Sequence, residues 1–198
     1  MTGQGFVSVR RYPNLPAPDM SEILRYAGVR EADEKTARLA LDCIREAEGA
    51  VRAAVCYLEL PVSIDGEKCD LGFAECRSHA LSRNLEGCGS VILFAATLGI
   101  GADRLIARYS RISPSRAVLL DAYFTERIEA LCDTFEREAA YGREIRPRFS
   151  AGYGDLPLEL QKDIFRVLSP DKHIGLTLNE SMLMSPSKSV TAMIGREP

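Results

Sequence analysis

The run Ser90-Val91-Ile92-Leu93-Phe94-Ala95-Ala96-Thr97 constrains the fold more than any other stretch. It is continuously apolar and does not alternate with polar residues, which is the signature of a central strand buried on both faces. Thr97-Leu98-Gly99-Ile100-Gly101 then turns into a helix over 102–112. The G-x-G there has no G-x-x-G continuation and no following βαβ unit, so it reads as a turn and not as a dinucleotide loop. The second constraint is residues 115–141, the longest predicted helix. Leu120, Phe124, Ile128, Leu131 and Phe135 recur at steps of four, four, three and four. At about 100° per residue they form one apolar stripe.

The remaining elements are shorter. Residues 1–20 carry Pro13, Pro16 and Pro18 and read as an extended arm or capping segment. Asp19 or Ser21 caps a short helix over 22–27, ended by Gly28. Residues 32–54 are alanine-rich and helical, with Leu39, Ile44 and Ala47 near one face and Gly49 marking the end. Residues 55–64 are strand formers that lead into Asp65-Gly66, a hairpin signal, with a return strand over 67–73. A helix is expected over 75–85, closed by Gly87. Asp155 is expected to cap a helix over 156–168, with Pro157 in its first turn and Leu160, Ile164, Val167 and Leu168 inward. Ile174, Leu176 and Leu178 alternate with polar residues, as do Val190, Ala192 and Ile194, and 185–188 is expected to join them as a hairpin. Together these predict an α+β fold: a twisted, mainly antiparallel sheet with hairpins and flanking helices. The expected organisation is a single unit over 1–198, with an N-terminal arm and short helix (1–30) and a main body (31–198).

Composition narrows the function. The 198 residues carry a net charge of −3, which argues against broad binding to nucleic acid or an anionic membrane. No run approaches the roughly 18–20 apolar residues of a membrane helix. The N-terminus has no basic region followed by an apolar one, so a cytoplasmic protein is expected. The six cysteines show no C-x-x-C spacing and the two histidines have no second ligand at metal spacing. Reduced thiols and no metal site are therefore expected. No Ser-His-Asp or Cys-His arrangement is evident, and no residue is assigned a catalytic role.

The chemistry concentrates in Arg148-Phe149-Ser150-Ala151-Gly152-Tyr153-Gly154-Asp155-Leu156-Pro157. Arginine offers a planar fork suited to a carboxylate. Glycine on both sides of Tyr153 lets the backbone adopt dihedrals closed to other residues and approach a ligand closely. An arginine, exposed amides and an aromatic so near each other fit a site for a small zwitterion. The same residues also fit a plain surface loop. Glu129 lies about 140° from the centre of the apolar stripe, a solvent-facing position.

Arg-x-x-x-Gly-Tyr-x-x-x-Pro, a following helix, Ile-Gly-x-x-Leu-x-Glu-Ser and a Pro-x-x-Ser-Val turn together resemble the reactivation domain of cobalamin-dependent methionine synthase. The resemblance is strongest over 146–194, moderate over 121–133 and weak before 113. It implies an activation-domain-like fold and S-adenosylmethionine as ligand. Arg148 would hold the ligand carboxylate, Ser150 and Gly152 would supply backbone contacts, and Glu129 would lie near the amino end. Tyr153 would reach toward the cobalt face of the partner's cofactor. Asp133 is less supported, and Glu180-Ser181 match the motif without an assigned role. Phe149 and Ala151 stand where the family often has proline.

The resemblance also implies a reaction. In the family, inactive cob(II)alamin is reduced by a flavodoxin or similar donor and remethylated from S-adenosylmethionine. No Asp-x-His-x-x-Gly occurs here, so action on a separate cobalamin-dependent methionine synthase or corrinoid protein is expected, with cobalamin present only through that partner. The sequence stops just after the 185–188 turn, where the family continues with a segment that adds a tyrosine contact. An N-terminal aspartate contact is not recognisable either. The alternative is a non-enzymatic docking module for a corrinoid methyltransferase, with a degraded ligand site.

Overall fold

The computed structural model describes residues 6–198. In chain order the elements are β1 (Ser8–Tyr12), α1 (Met20–Tyr26), α2 (Glu34–Glu48), β2 (Ala53–Pro61), β3 (Ser63–Asp65), β4 (Lys68–Asp70), β5 (Glu75–Arg77), α3 (His79–Asn84) and β6 (Ser90–Thr97). They continue with α4 (Ile100–Ile112), α5 (Pro114–Ala140), α6 (Leu160–Leu168), α7 (Pro170–Ile174), β7 (Thr177–Leu178), β8 (Met184–Ser185) and β9 (Ser189–Arg196). The main sheet runs β1-β2-β6-β9, antiparallel throughout. β3, β4 and β5 form a second sheet, and β7 pairs with β8.

The expected central strand is β6, flanked by β2 and β9 and buried along nearly its whole length. Successive strand side chains point to opposite faces, and this splits the interior in two. Val55, Ile92, Phe94, Ala96, Ala192 and Ile194 face one core, which α1, α2, α4 and α5 cover. Cys56, Leu58, Val91, Leu93, Ala95 and Met193 face the other, which α3, α6, the small sheet and the loop after residue 148 cover. The α5 stripe enters the first core: Leu120, Phe124, Leu131 and Phe135 are fully buried, and Phe135 meets Phe94 at 5.0 Å and Tyr57 at 5.1 Å between ring centroids. Proline opens α5 in its first turn, where no amide partner is lost. Asp19 caps α1, and α2 ends at Gly49, as expected.

The N-terminal arm is more structured than its prolines suggest. Residues 8–12 form an edge strand on β2. Residues 16–19 are tied to α5 by a buried ion pair of neighbouring residues, Glu126 and Arg127. Arg127 donates to Pro16 O and to Ala17 O (3.4 Å), and Glu126 accepts from Asp19 N (3.2 Å).

Four expectations are corrected. Residues 75–85 are not one helix: Glu75–Arg77 pairs with β4, and α3 starts only after Ser78, whose hydroxyl caps it through Leu81 N (3.0 Å). The helix expected over 156–168 starts at Leu160 with no side-chain cap, because Asp155 is spent elsewhere. Residues 185–188 do not form a hairpin between the two alternating segments. β8 pairs back on β7, while β9 leaves to join β6. The 55–64 strand divides at Val62 into β2 and β3, and the return strand shortens to Lys68–Asp70. In the 75–77 and 55–64 cases hairpin pairing with β4 overrode the local preference, and in the other two contacts with residues far along the chain did.

Candidate functional site

Residues 145–149 run along the outer side of β9. Arg146 N donates to Gly195 O (2.8 Å), and Phe149 exchanges backbone bonds with Met193 (2.8 Å each). Strand-like alternation then sends neighbouring side chains to opposite faces. Phe149 goes into the second core, and Arg148 crosses to the polar side of α5.

There the guanidinium meets three carboxylates: Glu129 at 2.5 Å, Asp133 at 2.7 Å, and Glu136. Residues 129, 133 and 136 are spaced by four and three, so they share one helix face. Glu129, expected near the amino end of a bound ligand, pairs here with this arginine. Glu136 was not anticipated, although its spacing from Glu129 and Asp133 was visible in the sequence. One positive charge against three negative ones leaves the cluster with a surplus of negative charge. Burial alone would lower the Arg148 pKa, but hydrogen bonds to Glu136 and Asp133 outweigh it and push it up. The Arg148 side chain is 26% exposed and Asp133 61%, so solvent reaches the cluster from the Asp133 side.

The loop that follows is held from within. Gly152 N donates to Leu156 O (3.0 Å), Tyr153 N to Ser150 O (3.2 Å) and Leu156 N to Tyr153 O (3.1 Å). The amides of Gly152 and Tyr153 are thus engaged inside the loop, whereas exposed amides were expected. The glycines serve packing as well. Gly152 has φ +87, and a Cβ there would lie 3.0 Å from Leu158 Cδ1; Gly154 has φ +59, and its Cβ would lie 3.1 Å from Ala80. Tyr153 is 69% exposed and stands edge-on against Phe149, with ring centroids 5.3 Å apart.

Asp155, expected to cap the helix after it, instead caps α3. It accepts from Ser78 Oγ, His79 N (2.7 Å) and Ala80 N (3.2 Å). The Ser78 hydroxyl, followed by these amides, holds its carboxyl below the usual range. The loop therefore has two anchors, Phe149 on β9 and Asp155 on α3, with Tyr153 projecting between them. Of the other residues weighed, His173 lies in the last turn of α7, and Glu180-Ser181 form the exposed turn between β7 and β8.

The fold is similar to that in a crystal structure of the MetH reactivation domain bound to AdoHcy. The TM-score is 0.69 at 15% sequence identity, and the match covers 100% of this chain and 80% of that one. At that identity the likeness is one of fold. No family model and no curated protein matches the sequence. Among the described residues, no helix is long and apolar enough to cross a membrane, and no group of three or more His, Cys, Asp or Glu could hold a metal ion.

Proposed function

We propose that the chain is a reactivation-type domain, a single unit over 1–198, that binds S-adenosylmethionine. In this reading it supports reductive methylation of cobalamin carried by a separate cobalamin-dependent methionine synthase or corrinoid protein in the cytoplasm. A flavodoxin-like or other donor provides the electron. The observation that supports this most is Arg148 set against the polar face of α5, four residues before the glycine that precedes an outstanding Tyr153. It does so in a fold shared with a domain solved bound to AdoHcy.

Arg148 would take the ligand's carboxylate as a paired, charge-assisted contact. To do so it must release at least one of its present partners. Asp133 is the most exposed of the three and the easiest to free. The carboxylates then face the positive amino and sulfonium end of the ligand, with Glu129 nearest by assignment. Ser150 and Gly152 would contribute backbone carbonyls, since the Gly152 amide is already engaged. The partner's cobalamin supplies the cobalt nucleophile, so this chain needs no base or nucleophile of its own. Tyr153 would lie on the partner side and exclude water there.

A second reading has its own support. Arg148 is already satisfied by three carboxylates, as it would be in a docking module whose ligand site has degraded. Calorimetry with S-adenosylmethionine separates the two. The binding reading expects saturable heat and at least tenfold weaker binding in Arg148→Ala, since losing a buried charge pair costs about 2–5 kcal/mol. Equal affinity in the two proteins removes Arg148 from the site, and no heat in either favours docking alone.

A further inference from the structure

β4 and β5 set Cys69 directly opposite Cys76. The bonds to either side define the kind of pair. Ser78 N donates to Glu67 O (3.0 Å), and Leu71 N to Ala74 O (3.0 Å). Residues 67 and 78, and 71 and 74, are therefore hydrogen-bonded pairs. Such pairs alternate along an antiparallel ladder, so 69 and 76 form another, with Cα atoms about 5.5 Å apart. Disulfides most often span about 5.5–6 Å between Cα atoms. Directly opposite side chains share a face of the sheet, so the two thiols are cross-strand neighbours.

The two sulfurs differ in access. Cys76 is partly exposed, while Cys69 is fully buried, with Sγ 3.7 Å from Glu67 O and 3.9 Å from Ser78 O. An outer thiol with an inner one behind it is the arrangement of an attacking and a resolving cysteine. Among the described residues, no other two cysteines face each other across paired strands.

We propose that Cys69 and Cys76 form a reversible dithiol–disulfide site, oxidised by small disulfides of the glutathione type, and that the Tyr153 loop senses its state. Cys76 gives its proton to solvent, and its thiolate attacks one sulfur of RSSR. A Cys76–SR bond forms and RS⁻ leaves. Cys69, deprotonated in turn, attacks the Cys76 sulfur, which closes the protein disulfide and expels a second RS⁻. Two protein thiols lose two electrons and two protons, and RSSR becomes two RSH. Burial pushes both thiols up, Cys76 to about 11, so thiolate is scarce at neutral pH and the exchange is slow.

The coupling is short. Cys76 lies two residues before Ser78, whose hydroxyl holds Asp155, and Asp155 lies two residues after Tyr153. The Cys69 thiol also points at Ser78 O, and oxidation removes that donor. Closing the disulfide thus perturbs the α3 cap, where the loop is anchored. This inference does not depend on the proposed ligand.

The test incubates the reduced chain with excess oxidised glutathione for several hours. Free thiols are then counted after unfolding, and tryptic peptides are weighed. Lys68 and Arg77 bracket both cysteines in one peptide, 69–77. The expected result is loss of two of the six thiols, peptide 69–77 lighter by two hydrogens, and reversal by dithiothreitol. Cys76→Ser should show neither change, and Cys69→Ala should trap glutathione on Cys76. Hydrogen exchange over 78–80 and 150–156 should quicken at least threefold on oxidation of the native chain, and not in Cys76→Ser. Six intact thiols, a lasting glutathione adduct on native Cys76, or a bond to Cys88 would overturn the site. A closed disulfide with unchanged exchange would overturn the coupling.

Discussion

On one face of the main sheet lie α5, with 27 residues, and α2, with 15. On the other, the longest helix is α6, with nine, and the rest is a three-stranded sheet, short helices and turns. The first face is built from elements whose apolar residues repeat along their own length. The second is closed by contacts between residues far apart in sequence: Ser78 with Asp155, Gln161 with Thr191, Phe149 with Met193. The candidate site lies where the two meet. Its arginine reaches to the helical face, and its tyrosine loop belongs to the other. A charged cluster on a long helix thus stands beside a loop anchored by Phe149 on β9 and by the Asp155 carboxylate on α3.

If the helical face carries most of the stability, truncating its centre should have the largest effect. Phe135→Ala should destabilise the fold by about 3–5 kcal/mol in denaturant unfolding, because it empties a site between Phe94 and Tyr57. A loss below about 1 kcal/mol would mean that the two faces are not so unequal. Gly152→Ala should cost about 1–3 kcal/mol, because its backbone is left-handed and Leu158 is close. Hydrogen exchange should place the damage in 150–156, with α5 unaffected.

The Asp155 anchor gives a smaller effect with a pH signature. Its folded pKa is depressed, so its contribution is present above the unfolded value of about 3.9 and is lost as pH falls through the folded one. Thermal midpoints of Asp155→Asn should therefore lie below those of the native chain at pH 5–7 and converge with them at lower pH. A constant gap at all pH values would assign the effect to packing. Tyr153→Ala should be the mildest, within about 0.5 kcal/mol of native, because the side chain is mostly exposed. In the proposed function the same change should still lower the methylcobalamin yield of a cobalamin-loaded partner, followed by its visible spectrum during anaerobic reduction. A marked stability loss would make Tyr153 a structural residue.

Legibility followed the same division. The β6 run was readable because burial on both faces leaves it without polar positions, and the α5 stripe because burial of one face imposes a helical period. Glu129 was placed on the polar side of α5 by the same arithmetic, and Arg148 was picked out by its neighbours in sequence. That the two meet is a finding of the structure, since nothing in the local pattern joins residues 19 apart. Glu136 was missed, although the same helical spacing could have found it. Asp155 was misassigned because it precedes a helical segment, and a cap is usually local. The helix expected over 75–85 failed because strand pairing with β4 outweighed the propensity of three residues.

By itself, then, the sequence determined the central strand, the long helix with its buried stripe, the α+β class and the position of the arginine–glycine–tyrosine segment. These depend on free energies set by residues within a few turns or a few pleats of each other. Only the tertiary structure decided that Asp155 caps α3, that residues 145–149 lie along β9, that β9 leaves β8 for β6, and that Arg148 faces three carboxylates. Each of these joins groups separated by a dozen or more residues. Such contacts form only once the chain has closed around both cores, because the entropy of bringing distant segments together is offset by the whole fold and not by any one stretch of it.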